Sequence, residues 1–166
     1  MADSQFDPYA VLKALDRHRV TYIVIGAFAR VIHGTEELTR GIDIVPSTRP
    51  ENVRRLEEAL RELNAQHDDG RDVRLDEHSL EPVISLRSDA GELKIVPEPI
   101  GTRGYDDLRR AASREPLGQG VRPSVASPGD LARMLGARGR DVDLENLRML
   151  RRLIALERSR GLSWER

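Results

Sequence analysis

The hydrophobic positions along the chain follow two periods, which together predict strands interleaved with helices. Short apolar runs rich in β-forming residues predict strands at residues 22–25, 42–46, 83–87 and 92–96. Apolar spacing of three or four residues, together with capping residues, predicts helices at residues 8–18, 27–33, 50–63, 105–112, 128–137 and 141–158. This order predicts the α+β (mixed α/β) class, with a mixed β-sheet flanked by helices and a C-terminal helical segment.

N-cap residues mark the first residue of several of the predicted helices. Asp7 and Ser127 each stand before a proline and are typical N-caps. Thr48 is predicted in the same way to cap the helix that follows it. Residues 64–79 are polar and acidic, so we expect them to form a loop.

The composition narrows the class of protein. A length of 166 residues favours one domain with an extension, and we expect a core of residues 1–120 with residues 121–166 packed on it as helices. The chain has no cysteine, which excludes disulfides, thiolate metal sites and cysteine nucleophiles and fits a reducing compartment. No apolar run approaches the roughly 18 residues that span a bilayer, and residues 1–5 are too polar for a signal peptide. We therefore expect a cytoplasmic protein with no membrane partner.

Charge is unevenly distributed along the chain, although the formal net charge is only −1. Residues 1–100 carry 19 acidic and 13 basic residues, whereas residues 101–166 carry 9 acidic and 14 basic ones. The near-zero total argues against bulk attraction to nucleic acid. The two parts could attract each other, or the C-terminal part could present a basic face to an anionic ligand.

The first stretch that could carry chemistry is the turn after the strand at residues 22–25. Gly26 ends that strand, and a helix begins at once with Ala27. Glycine lets the backbone approach a ligand closely, and the first N–H groups of a helix are free to bind an anion such as phosphate. Many strand-to-helix turns use glycine for structural reasons alone, so this turn does not decide between the two roles.

Two oppositely charged residues interrupt apolar strands. Side chains alternate between the faces of a strand, so Asp43 shares a face with Gly41 and not with its isoleucine neighbours. Lys94 is one of only two lysines among 27 basic residues, and it would point away from the core. If the two strands are neighbours, Asp43 and Lys94 can meet on one face, either as a charged site or as an ordinary cross-strand pair.

Four stretches of the sequence, taken together and in this order, form a more specific pattern than any one of them alone. They are Tyr-Ile-Val-Ile-Gly-Ala-Phe-Ala-Arg-Val-Ile-His-Gly at residues 22–34, Leu-Thr-Arg-Gly-Ile-Asp-Ile-Val-Pro at 38–46, Gly-Glu-Leu-Lys-Ile-Val-Pro at 91–97, and a tail that begins Ala-Ser-Pro-Gly-Asp at 126. This combination resembles the nucleotidyltransferase superfamily over most of residues 10–150. It is most similar to a small bacterial branch that includes minimal nucleotidyltransferases and abortive-infection type toxins.

The resemblance implies a nucleotidyltransferase-like sheet and a nucleotide site. In that superfamily a glycine turn holds the nucleotide phosphates. Two aspartates one residue apart, with a third on a later strand, hold two magnesium ions that stabilise the attacking and leaving oxygens. This chain keeps only the second aspartate, as Asp43, because Gly41 stands at the first position and Lys94 at the third. Leu135 stands where the superfamily often has a lysine.

These differences predict a degenerate site. One carboxylate is a poor ligand set for two hydrated Mg²⁺ ions, and a nearby ammonium repels them. We expect Asp43 and Lys94 to be the central pair, with the Lys94 ammonium in place of a metal, so that no metal or other cofactor is bound unless the protein is active with Mg²⁺. The predicted nucleotide-binding residues are Gly26, Ala27, Arg30 and Arg40. The two arginines could bind phosphate or could pair with Glu36 or Glu37.

Three functions remain open from the sequence. The first is a catalytically degenerate nucleotidyltransferase-fold protein that binds a nucleotide, an RNA or a protein partner, including a second copy of itself. The second is an active transferase that moves a nucleoside monophosphate from an NTP to a protein, RNA or small-molecule acceptor, with Glu92 or Glu98 assisting Asp43. The third is an antitoxin-like or assembly module. The missing carboxylates favour the first, because function follows from the site and not from the fold.

Overall fold

The fold is built around one mixed sheet of seven strands. The computed structural model describes the backbone of residues 5–164 and the side chains of residues 5–160. The strands are β1 (Tyr22–Ile25), β2 (Gly41–Pro46), β3 (Gln66–His67), β4 (Ile84–Ser88), β5 (Gly91–Ile95), β6 (Ser113–Arg114) and β7 (Ser124–Val125). The helices are α1 (Pro8–Arg17), α2 (Gly26–His33), α3 (Pro50–Glu62), α4 (Tyr105–Leu108), α5 (Pro128–Arg138) and α6 (Leu144–Trp164), the last preceded by a 3₁₀ turn at Asp141–Asp143.

The strand order is β3-β4-β5-β2-β1-β7-β6, so β2 lies at the centre of the sheet. It runs parallel to β5 on one side and antiparallel to β1 on the other. β4 and β5 form an antiparallel hairpin, and β7 joins the far side of β1 in parallel. These findings confirm the predicted class and the mixed sheet with flanking helices.

The core fixes the register of the central strands. Along β5, Leu93 and Ile95 are buried, whereas Glu92 and Lys94 are exposed. Their partners in β2, Ile42 and Ile44, are fully buried. The helices α1 and α3 pack together and add buried leucines to the same core. A slip of one residue would turn every side chain to the opposite face, so this burial pattern holds the polar residues of β2 and β5 in their positions.

Two of the predicted helix caps are confirmed and a third is wrong. Asp7 and Ser127 each accept a hydrogen bond from the backbone N–H three residues later, at 3.2 and 3.1 Å. Thr48 does not cap α3, because Arg49 takes the N-cap position and no side chain bonds there. The buried Asn52 side chain instead hydrogen-bonds backbone groups that flank β1 and β2, and so fixes the first turn of α3 to the sheet.

The short strands β3, β6 and β7 are absent from the sequence prediction. Each has two residues, too few to show a period of two. β3 lies inside the predicted loop 64–79, and β7 lies inside residues 121–166, so that segment contributes a sheet strand before its helices begin. α5 packs on α2 and on α6.

Within residues 5–164, no helix combines the length and the apolar character needed to cross a bilayer. The prediction about a signal peptide depends on residues 1–5, of which residues 1–4 lie outside the described part of the chain.

Candidate functional site

Asp43 and Lys94 lie side by side on adjacent strands. In the parallel pair of β2 and β5, Asp43 is opposite Lys94 and Gly41 is opposite Glu92. Across the antiparallel pair, Asp43 is opposite Ile25, the last residue of β1. The Asp43 carboxylate therefore lies beside the turn where β1 ends and α2 begins.

One cavity of about 470 Å³ joins these residues. Its charged lining residues are Arg30, Asp43, Lys94, Glu98 and Arg138. Most of its remaining wall is apolar and comes from the segments around Val83 and Ile100 and from one face of α5. Val83 and Ile100 are about half exposed at the rim, whereas the α5 residues Met134 and Leu135 are buried. The cavity is thus an apolar cleft whose wall also contains five charged side chains.

Gly26 is required for the carboxylate of Asp43 to occupy its position. The φ angle of Gly26 is +73°, a left-handed conformation that favours glycine. A Cβ atom at this position would overlap the Oδ2 atom of Asp43 and lie 3.0 Å from its Cγ atom. The backbone of the turn therefore covers the carboxylate closely, and no other residue fits there without displacing it.

Burial raises the pKa of the Asp43 carboxyl above its ordinary value. The positive charges of Lys94 and Arg30 oppose this rise, and the negative charge of Glu92 adds to it. No hydrogen bond or ion pair joins Asp43 to another described side chain, so the direct pairing with Lys94 expected from the sequence is not formed. Lys94 acts on Asp43 through its charge at longer range.

The guanidinium of Arg30 is held by an internal partner. Its Nε and Nη2 atoms donate hydrogen bonds to the Glu37 carboxylate at 2.8–3.1 Å, and the Thr35 hydroxyl donates another at 2.6 Å. Arg30 is only 7% exposed. Of the alternatives left open by the sequence, the structure therefore shows the pairing with Glu37, which fixes the segment between α2 and β2.

The other two residues predicted to bind nucleotide, Ala27 and Arg40, do not line this cavity. Ala27 follows Gly26 in the first turn of α2 and is not part of the cavity wall. Arg40 lines a separate cavity with Phe6 and Glu92. The structure thus brings Gly26, Arg30, Asp43 and Lys94 together and places Arg40 elsewhere.

Three solved structures superimpose on nearly the whole chain, although no protein-family model and no curated protein matches it. The antibiotic-resistance factor ANT(2'')-Ia gives a TM-score of 0.60 at 15% identity, covering 95% of this chain and 92% of that one. The lincosamide antibiotic adenylyltransferase LnuA, solved with lincomycin bound, gives 0.58 at 14% identity, covering 90% and 99%. TM1012 of Thermotoga maritima, assigned as a nucleotidyltransferase, gives 0.50 at 19% identity, covering 95% and 91%. The chain has a nucleotidyltransferase-like fold.

A two-magnesium site of the kind the resemblance implies does not fit the residues that the structure describes. A Cβ atom at Gly41 would collide with the carbonyl oxygen of Glu92 and lie 2.7 Å from its carbonyl carbon, so the β5 backbone leaves no room for a side chain at position 41. Lys94, opposite Asp43 on β5, adds a positive charge that repels cations. Among the side chains that the structure describes, no group of three histidine, cysteine or acidic residues could hold a metal ion. Among the described residues, the charged groups nearest the glycine turn include the Asp43 carboxylate and the Lys94 ammonium, and Glu98 is a second carboxylate in the wall of the same cavity.

α5 contributes the part of the cavity wall that the sequence prediction missed. Leu131, Met134 and Leu135 turn toward the cavity from one face of this helix. Their spacing in the sequence marks an apolar face, but it does not show which element the face covers. Leu135, noted in the sequence only as a departure from the resemblance, forms part of the cavity wall.

Because partial burial raises the pKa of the Asp43 carboxyl, we expect a pH-dependent gain in stability when Asp43 is replaced by asparagine. Because the pKa of Asp43 is raised on folding, ionisation weakens the folded state as the pH rises above the unfolded value of about 3.9. We expect Asp43→Asn to raise the melting temperature by about 2–4 °C at neutral pH. The gain should disappear by about pH 3, where the carboxyl is protonated in both states. Thermal unfolding followed by circular dichroism measures both values.

The matched control is Glu36→Gln, which removes an exposed carboxylate that has no described partner. Its melting temperature should follow that of the natural protein at both pH values. A lower melting temperature for Asp43→Asn at neutral pH would show that burial is not the dominant influence on this carboxyl.

Proposed function

We propose that this protein binds a nucleotide at the Asp43–Lys94 cavity without magnesium and does not transfer it. The observation that supports this most is the register of β2 and β5, which sets Asp43 beside Lys94 in one cavity while the Glu92 carbonyl closes position 41. On this proposal the protein is a degenerate member of the small bacterial nucleotidyltransferase branch that acts in the cytoplasm.

Of the cavity cations, Lys94 is the one that has no partner among the described residues and so can bind phosphate. Of the cations in the cavity wall, Arg30 is held by Glu37, and Arg138 lies 3.6 Å from the Asp143 carboxylate. The exposed Lys94 side chain has no ion pair or hydrogen bond among the described residues. A lysine ammonium binds phosphate as a point charge, and it would here supply the positive charge that a metal supplies in active enzymes.

The rest of the cavity suits the nucleoside part of the ligand. Its volume of about 470 Å³ lies within the range of small-molecule sites, and its wall is largely apolar. The half-exposed Val83 and Ile100 side chains offer a surface for the face of a base. The unpaired Asp43 carboxylate can accept hydrogen bonds from hydroxyl or amino groups and repels phosphate, so the phosphates are placed on the side of Lys94.

Calorimetric titration with ATP or GTP in EDTA tests the proposal. We expect saturable binding by the natural protein and a loss of about tenfold or more in affinity for Lys94→Gln, because a charge-assisted bond is removed. The matched control is Lys13→Gln, since Lys13 is the other lysine of the chain and bonds Gln119 outside this cavity. Failure of the natural protein to bind either nucleotide would overturn the proposal and leave the antitoxin-like or assembly module.

One observation favours the alternative of an active transferase. Glu98 lines the same cavity as Asp43, whereas Glu92 is opposite Gly41 and lines the neighbouring cavity. A transferase would therefore use Asp43 with Glu98. Labelled NTP with Mg²⁺ and a panel of tRNA and protein acceptors tests this alternative. Transfer that is lost in both Asp43→Ala and Glu98→Gln would replace the proposed function with the enzymatic one.

A further inference from the structure

The exposed side of α6 carries a group of arginines that form no ion pair with any acidic residue whose side chain the structure describes. These are Arg148, Arg151, Arg152 and Arg158, which we call the α6 arginine face. All four are exposed, and none has a side-chain ion pair or hydrogen bond among the described residues. In α3, by contrast, Arg55 and Arg61 each pair with a glutamate one turn earlier.

The helical period places the four arginines on one surface. At 3.6 residues per turn they fall within an arc of about 120°, and they extend over about 15 Å of the helix axis. Within residues 144–160 this arc contains no acidic residue, and the buried Leu147 and Leu150 lie outside it, toward the core. Neighbouring arginines three and four residues apart repel one another. A bound polyanion would relieve this repulsion.

We propose that the α6 arginine face binds the phosphate backbone of double-stranded DNA. Guanidinium groups bind phosphate through two parallel hydrogen bonds, which favours arginine at such surfaces. Residues 155–160, which include Arg158, are exposed whichever way their side chains point, so this end of the helix stands clear of the other residues that the structure describes. A helix about 10–12 Å across fits the B-DNA major groove, which is about 12 Å wide.

Other nucleic acids fit this surface less well. The major groove of an RNA duplex is deep and narrow and does not admit a helix. Single strands are held by aromatic side chains on which bases stack, and the described part of the arginine face has none. Residues 1–100 carry the excess of acidic residues and would repel DNA, so binding is confined to the basic C-terminal part.

Fluorescence anisotropy with a short labelled DNA duplex, measured over a series of salt concentrations, tests this proposal. Four arginine–phosphate contacts predict a slope of about −3.6 for log K against log salt, or about a 100-fold loss of affinity between 50 and 200 mM salt. The triple variant R148Q/R151Q/R152Q should reduce the slope to about −0.9. Its affinity for ATP should be unchanged, which separates this surface from the proposed nucleotide site.

The control is R19Q/R49Q/R54Q, which removes three exposed arginines that lie outside α6 and have no described side-chain partner. It should bind DNA as the natural protein does, and circular dichroism should show both triple variants folded. The proposal is overturned by absence of DNA binding at 50 mM salt, or by an equal loss in the control. Tighter binding to duplex RNA, to single strands or to phosphatidylserine vesicles than to the DNA duplex overturns it as well.

Discussion

Gly41→Asp is expected to destabilise the protein severely and to leave it without a magnesium site. Any Cβ atom at this position meets the carbonyl oxygen of Glu92, which belongs to the backbone of the adjacent strand and cannot rotate away. β2 and β5 pair at the centre of the sheet, so relief would require breaking their hydrogen bonds. We expect the free energy of unfolding to fall by about 3–4 kcal/mol or more, measured by urea denaturation.

A second glycine-to-aspartate substitution tests whether the loss comes from this collision or whether the protein is destabilised by any such substitution. Gly129 lies in the first turn of α5, where an added Cβ atom would meet nothing closer than 3.9 Å. Gly129→Asp should therefore keep the stability of the natural protein, because an acidic residue is favourable near a helix N-terminus. The account is contradicted if Gly41→Asp is as stable as Gly129→Asp, or if the double variant G41D/K94D gains saturable Mn²⁺ binding.

The buried ion pair of Arg30 and Glu37 is expected to give the second large effect. Both side chains are 9% exposed, and the pair fixes the segment that leads from α2 into β2. Glu37→Gln removes the negative charge and leaves the guanidinium buried without compensation. We expect a loss of about 3–5 kcal/mol in the free energy of unfolding, measured by urea denaturation, with faster proteolysis of residues 34–40.

Two comparisons check this interpretation. The exposed pair of Arg55 and Glu51 in α3 has the same chemistry in water, so Glu51→Gln should cost less than about 0.5 kcal/mol. The double variant R30M/E37L replaces both charges with apolar groups and should cost less than Glu37→Gln alone. If Glu37→Gln unfolds with the same midpoint as the natural protein, the pair does not hold this segment.

Most of the fold could be predicted from the sequence because its longer elements repeat a period several times. α3 and β5 show this clearly, since each has enough residues for one apolar face to be recognised. β7 has only two residues, and its place beside β1 depends on contacts distant in sequence. Thr48 was a reasonable capping candidate by type, but the hydrogen bonds of Asn52 set the entry to α3 one residue later.

The candidate site could be predicted in part. The proximity of Asp43 and Lys94 followed from strand alternation once β2 and β5 were assumed to be neighbours, and the structure places them in register. The choice of Arg30 between phosphate and an internal acid depends on the conformation of residues 34–40, which no local pattern specifies. Arg40 is close to Asp43 in sequence, yet it turns toward a different cavity.

The sequence does not show that the β5 backbone leaves no room for a side chain at position 41. The resemblance implies that Gly41 stands where the superfamily has a carboxylate, which by itself suggests a loss that one substitution could reverse. The structure shows that the Glu92 carbonyl fills the space a side chain would need. The lack of room follows from the short distance between β2 and β5 at this point, which residue types do not specify.

The influence of magnesium on ATP binding tests the central claim most directly. Calorimetric titrations of the natural protein would be run once with ATP in EDTA and once with ATP and excess Mg²⁺. Because the Lys94 ammonium would lie beside the triphosphate in the proposed complex, a magnesium-bound triphosphate should meet repulsion at its metal and weaker attraction at its phosphates. We predict that Mg²⁺ weakens binding about tenfold or more. Tighter binding with Mg²⁺ that is lost in Asp43→Ala would contradict the account.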